Sequence, residues 1–186
     1  MDDAFATLGL DHRLTLDDNV IETAWRELGR QLHPDGEGGD AERAAAVNQA
    51  HQVLRSSARR LRHWLELRDV EIGRQTVLDP GLMDLFSEIS PALNDADEVL
   101  RKRSAASSAL ARALLAESEV TSQQKLQGLL GRIGKQRLAI VGRFPEIEIA
   151  AEKDHYDEAR AAVGQLGFLE KWESQVQERL MKFITG

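Results

Sequence analysis

The residues best equipped for chemistry in this 186-residue chain are three in a row, His33, Pro34 and Asp35. Asp35 offers a carboxylate that an arginine on a partner can grip with two parallel bonds. Pro34 fixes the direction of the chain. Arg26 and Arg30 precede them, four residues apart, so both can face one partner from a single helix face. This is the chemistry of a contact surface, and no residue is assigned a catalytic role. No Ser-His-Asp arrangement is suggested. The five histidines are His12, His33, His51, His63 and His155, and no two of them have the i, i+4 spacing of a helical metal site. The chain has no cysteine, which excludes disulfides, thiolate zinc sites and cysteine-ligated clusters held by this chain alone. The residues therefore imply neither a metal site nor a resident cofactor.

These residues need elements to hold them, and the hydrophobic periodicity supplies helices. A short helix over about Ala4 to Leu8 ends at Gly9. A second is capped by Asp17, with Asp18 at the positive end of its macrodipole. Ile21, Ala24, Trp25, Leu28 and Leu32 form its apolar face, and Glu22, Arg26, Arg30 and His33 lie opposite. Pro34 ends it, because the residue before a proline is driven out of the α region. A third helix starts near Asp40 and buries Ala44, Val47, His51 or Ala50, Leu54 and Ala58. Leu61, Trp64, Leu65 and Leu67 add a further apolar turn. Residues 68–79 have weak periodicity and read as a linker. Asp79-Pro80 is a cap followed by proline at the first helical position. Helix then extends to about Glu119, with a kink or break expected at Pro91. Further helices are expected over about Thr121 to Phe144 and Tyr156 to Phe183. The last has a seam of Val163, Leu166, Leu169, Trp172, Val176, Leu180 and Phe183. The expectation is an all-α chain: a helical hairpin with short flanking helices over 1–67, a linker over 68–79, and an antiparallel three-helix bundle over 80–186.

Apolar residues make up 42% of the chain and charged residues 30%, with a net charge of −7. An acidic chain repels phosphate backbones, so nucleic acid is not an expected partner. No run of 18 apolar residues exists and the first residues lack a basic signal-peptide start. The expectation is a cytoplasmic protein with no membrane partner. Arg59-Arg60-Arg62 and Arg101-Lys102-Arg103 read as solvated helix faces. Gly128, Gly131 and Gly134 repeat every three residues, as do Gly164 and Gly167. Each costs about 1 kcal/mol inside a helix, which suggests faces packed with close backbone approach.

A polar-faced helix ending in Arg30-x-x-His33-Pro34-Asp35, a Gly-rich loop, and a following helix with Asn48-Gln49-Ala50 and Leu54 together resemble the J-domain. The resemblance implies a co-chaperone that stimulates the ATPase of an Hsp70-class partner. Arg26 and Arg30 would be docking charges and His33, Pro34 and Asp35 the signalling triad. The lysine that often follows the triad is Gly36 here, and Glu22 and Glu27 oppose the two arginines.

The second half resembles the HscB-type co-chaperones of iron–sulfur cluster assembly, in which a J-domain joins a three-helix bundle directly. The resemblance rests on Leu82-Met83 with Phe86, on Tyr156-Asp157-Glu158-Ala159, and on Val163, Leu166 and Phe168-Leu169-Glu170-Lys171. It implies two partners, an HscA/DnaK-like Hsp70 and an IscU-like iron–sulfur scaffold protein that the bundle delivers to it. The scaffold-binding patch would comprise Leu82, Met83, Phe86 and Phe168. Leu82 and Phe86 are expected to share a helix face with Met83 beside them. Leu82 reads equally as core. The Phe168 ring, next to the seam position Leu169, is expected to turn away from the core. Around the patch, Asp84 and Glu88 are acidic, but Ser87, Ser90 and Asn94 are neutral, and Gly167 replaces the family's arginine. The alternative reading is a J-domain protein with a different client and a purely structural bundle.

Overall fold

A computed structural model describes residues 2–32, 41–73 and 79–185. Among the described residues the chain is helical throughout, with eight helices and no strand. They are α1 (Ala4–Leu8), α2 (Asp18–Gln31), α3 (Ala41–Arg55), α4 (Ser57–Glu66), α5 (Pro80–Ala105), α6 (Ala109–Val141), α7 (Phe144–Ala151) and α8 (Asp157–Thr185). They form two compact units, each discontinuous in sequence. One contains Met1–Thr76 with Val141–Leu166, and the other Val77–Ile140 with Gly167–Gly186.

In the first unit the local signals act as expected. Asp3 caps α1 by accepting from the Phe5 and Ala6 amides, and Gly9 closes it with φ of 67°. Such a left-handed closure suits glycine, which has no Cβ to clash. Asp17 caps α2 through the Asn19 amide. α2 and α3 pair antiparallel, since Glu22 meets His51 and Trp25 meets Asn48. Phe5, Leu8, Leu14, Ile21, Val47, Leu54, Leu61, Trp64 and Leu65 fill the core. His51 and Ala50 are both buried. A separate helix, α4, follows α3, with Ser56 accepting from the Arg59 amide as its cap. Arg60 does not lie on a solvated face. It is 3% exposed, with its guanidinium 6.0 Å from the Phe144 ring centroid and hydrogen-bonded to the Leu16 carbonyl. Helix α7 completes this core with Phe144 and Ile147. Its Glu148 accepts from the Leu14 amide and the Thr15 hydroxyl, pinning the segment between α1 and α2.

The second unit is a three-helix bundle of α5, α6 and the greater part of α8. Glu88–Arg132, Asp95–Lys125 and Arg103–Glu119 pair α5 with an antiparallel α6. Asp97–Arg179 and Phe86–Trp172 pair α5 with a parallel α8. Leu82, Leu85, Ile89, Leu93, Leu126, Ile133, Leu169 and Val176 make the core. Two expectations change here, and a third, the kink or break at Pro91, loses the break. α5 ends at Ala105, not near Glu119, because Ser108 starts a new helix by accepting from the Ala111 amide. α5 runs through Pro91 without a break. Pro91 and Ser87, whose carbonyl loses its helical partner, are both exposed, so water can take the missing donor's place. Gly128, Gly131, Gly134 and Gly167 do not mark close packing, since a Cβ on each would meet nothing within 4 Å.

Candidate functional site

Two surfaces carry the residues singled out by the sequence. The first lies on α2. Arg26 and Arg30 stand exposed one turn apart. Arg26 pairs with Glu22 at 3.7 Å, and Arg30 Nε donates to the Arg26 carbonyl at 3.3 Å. Glu22 also accepts from His51 Nε2 at 2.9 Å and lies 3.9 Å from Arg55. The hydrogen bond from His51, assisted by the charges of Arg55 and Arg26, holds the Glu22 carboxyl below its ordinary value. Trp25 stacks on His51 with centroids 4.4 Å apart and donates its indole N–H to Asn48. A polar clasp of Glu22, Trp25, Asn48 and His51 thus fixes α2 against α3 and sets the direction of the arginine face. Asn48, noted in sequence only as part of a motif, acquires a physical role. His33, Pro34 and Asp35 lie outside the described residues.

The second surface lies on the bundle. Met83 and Phe86 on α5 are 52% and 50% exposed. Phe168 on α8 is half-buried. Both phenylalanine rings lean on Trp172, whose centroid is 6.1 Å from Phe86 and 5.7 Å from Phe168. Leu82 is 0% exposed. It packs in the core and presents no surface, because the bundle interior claims its side of α5. The α5 positions beside the rings, Ser87, Ser90 and Asn94, are exposed and uncharged. Glu88 pairs with Arg132, Asp95 with Lys125 and Asp97 with Arg179, while Asp84 stands exposed between Met83 and Phe86. The hydrogen bond from Arg132 holds the Glu88 carboxyl below its ordinary value.

No family model matches the chain. A co-chaperone protein HscB homolog from Bordetella pertussis is 32% identical over 148 residues, covering 74% of this chain and 84% of the relative. The chain belongs to the HscB co-chaperone family. A second HscB homolog, from Cupriavidus taiwanensis, is 36% identical over 107 residues, covering 52% of this chain and 61% of the relative. The co-chaperone protein HscB of Proteus mirabilis is 25% identical across 99% of both chains. Among solved structures, the chaperone HscB from Vibrio cholerae matches with a TM-score of 0.54 at 22% identity, covering 95% of this chain and 96% of that one. That likeness establishes the fold: an N-terminal J-domain of hairpin and short flanking helices, followed by a three-helix bundle.

Within this HscB fold, the structure brings Phe86 and Phe168 together on Trp172, leaves Met83 exposed one turn before Phe86, and removes Leu82 from the exposed set. The sequence pattern alone does not single out Trp172. It sits on the seam of α8, where a buried tryptophan looks like ordinary core, yet it is one turn from Phe168 and shares its face. Among the described residues no cluster of His, Asp or Glu could hold a metal ion, and no helix is long and apolar enough to cross a membrane.

Proposed function

We propose that this HscB-family chain is an adaptor that stimulates the ATPase of an Hsp70-class chaperone and delivers an iron–sulfur cluster scaffold protein to it. One observation carries the client half of this reading. Met83 and Phe86 are about half exposed and Phe168 is half-buried, and the two phenylalanine rings meet on a common indole of the bundle. Exposed apolar clusters of this kind mark partner sites, and methionine adapts to the partner's contour. A purely structural bundle would have no use for such a cluster, which favours this reading over a J-domain protein with an inert C-terminal half. In this assignment residues 1–67 are the Hsp70-facing J-domain, 68–79 the linker, and the client-facing bundle lies within 80–186, whose residues 141–166 pack with the first unit. Arg26, Arg30, His33, Pro34 and Asp35 face the Hsp70. Met83, Phe86 and Phe168 face the scaffold, with Leu82 supporting them from below. The chain acts by contact and performs no chemistry of its own, in the cytoplasm.

The test uses two variants and two readouts. His33→Gln is expected to abolish stimulation of Hsp70 ATP hydrolysis while scaffold binding stays at the wild-type level. Phe168→Ala is expected to weaken scaffold binding by more than about 1 kcal/mol, as for an interface hot spot, while leaving ATPase stimulation by the free co-chaperone intact. Undiminished stimulation by His33→Gln would sink the Hsp70 assignment. Undiminished scaffold binding by both Phe168→Ala and Phe86→Ala would sink the client assignment.

A further inference from the structure

We propose that Trp172 is the positioning residue of the client surface: a buried indole that holds Phe86 and Phe168, from two different helices, in their partner-ready orientations. This inference rests on the reading of the patch as the scaffold-binding site. The geometry is specific. Trp172 is 5% exposed, so it offers a client almost nothing directly. It instead touches both rings, tilted 42° against Phe86 and 35° against Phe168. Offset and tilted aromatic contacts of this kind are favourable because the positive ring edge meets a negative ring face. A half-exposed phenylalanine with no such neighbour samples several rotamers, and ordering it on binding is an entropic cost to affinity. One indole removes that cost for both rings. It also ties α8 to α5 at the patch, so the two rings cannot spread independently when a partner arrives. Ser87, Ser90 and Asn94 on the same helix are neutral and exposed Asp84 is a single charge between Met83 and Phe86, so the aromatic group dominates the fit.

The placement also supplies a probe. The chain has three tryptophans, and the other two, Trp25 and Trp64, belong to the other compact unit. Full-length protein labelled with 5-fluorotryptophan therefore carries one fluorine resonance at the patch. The experiment measures binding of the apo scaffold protein by calorimetry and follows that resonance. It uses wild type, Phe86→Ala, Phe168→Ala, Trp172→Leu and Trp172→Phe, each checked for an intact helical melt. Trp172→Leu is expected to weaken binding at least fivefold, with the loss appearing mainly as a less favourable entropy. Trp172→Phe, which restores a ring, is expected to recover most of it. The wild-type Trp172 resonance is expected to move when scaffold is added. If Trp172→Leu binds like wild type while Phe168→Ala does not, the positioning role is overturned and the patch survives. If both phenylalanine variants bind like wild type, the patch itself is wrong and this inference falls with it. Should Trp172→Leu lose its fold, the fluorine resonance decides: movement on scaffold addition supports the role, and a stationary resonance overturns it.

Discussion

A glycine inside a helix normally needs a reason, since it costs about 1 kcal/mol against alanine. Gly131 has none within its own unit. It is exposed on α6, and a Cβ built there would meet no atom within 4 Å. Gly131→Ala is therefore expected to stabilise the chain by about 0.5–1 kcal/mol, chiefly by narrowing the unfolded ensemble. The measurement is the urea midpoint of the variant against wild type, and an unchanged or lowered midpoint would contradict the open-space reading. The same lesson runs through other single residues. The spacing of Gly128, Gly131 and Gly134 is legible in the sequence, but whether a helix face is packed or bare depends on neighbours far along the chain. Arg60 shows the converse. It sits in a basic run that reads as solvated, yet Phe144 from a distant segment covers it. Leu82 fits both core and patch from its sequence position, and only the bundle's packing puts it inside.

At the level of elements, caps were readable and tertiary recruits were not. Asp17 and Asp79 announce α2 and α5, and Gly9 ends α1, because each acts on amides or a backbone angle within a few residues. The break before α6 is Ala106-Ser107-Ser108, whose serines look like ordinary solvated positions until Ser108 is seen accepting from Ala111. Helix α7 is the clearest recruit. It is eight residues long, too short to stand alone in water, and it folds because Phe144 and Ile147 enter the core of the first unit. In return Glu148 satisfies the Leu14 amide. Ala159, Ala162, Val163 and Leu166 on α8 are buried in the same unit. A fragment of residues 1–76 would expose this whole lining. Each fully buried large apolar side chain contributes about 1.5–3 kcal/mol, which is a large share of the ~5–15 kcal/mol stability of a typical domain. The fragment is therefore expected to melt at least about 10 °C below the same unit in the full chain, given that 1 kcal/mol moves the midpoint of a small domain by about 4–8 °C. Thermal melts followed by the Trp64 fluorine resonance of 5-fluorotryptophan-labelled fragment and full chain would check this. An equally cooperative, equally stable fragment would show that residues 141–166 are passengers.

For the whole molecule, the net charge of −7 hides two surfaces of different composition. On α2 the exposed Arg26 and Arg30 stand within a unit whose first 67 residues hold 8 basic and 12 acidic residues. Their attraction for an acidic partner is local, set by the clasp that orients α2, and exposed. Exposed charges are screened beyond about 8–10 Å at 0.1–0.15 M salt. On the bundle, α5 offers Met83, Phe86, Ser87, Ser90 and Asn94 around the aromatic rings, while Glu88, Asp95 and Asp97 are paired with cations of α6 and α8. Exposed Asp84 is a single charge beside the rings for salt to screen, and apolar burial does not weaken as ionic strength rises. Raising sodium chloride from ~50 to ~300 mM is therefore expected to reduce the apparent affinity for the Hsp70 by about tenfold, mostly through a slower association. Scaffold affinity should stay within about twofold over the same range. Surface plasmon resonance against each partner at four salt concentrations separates the two. A steep salt dependence of scaffold binding would mean that charges outside the described patch carry the client. A flat response of the Hsp70 would remove Arg26 and Arg30 from the docking face. The J-domain family name is legible from the triad and the Asn48 motif. The asymmetry between the two surfaces is not, because it depends on which acidic side chains find partners on neighbouring helices.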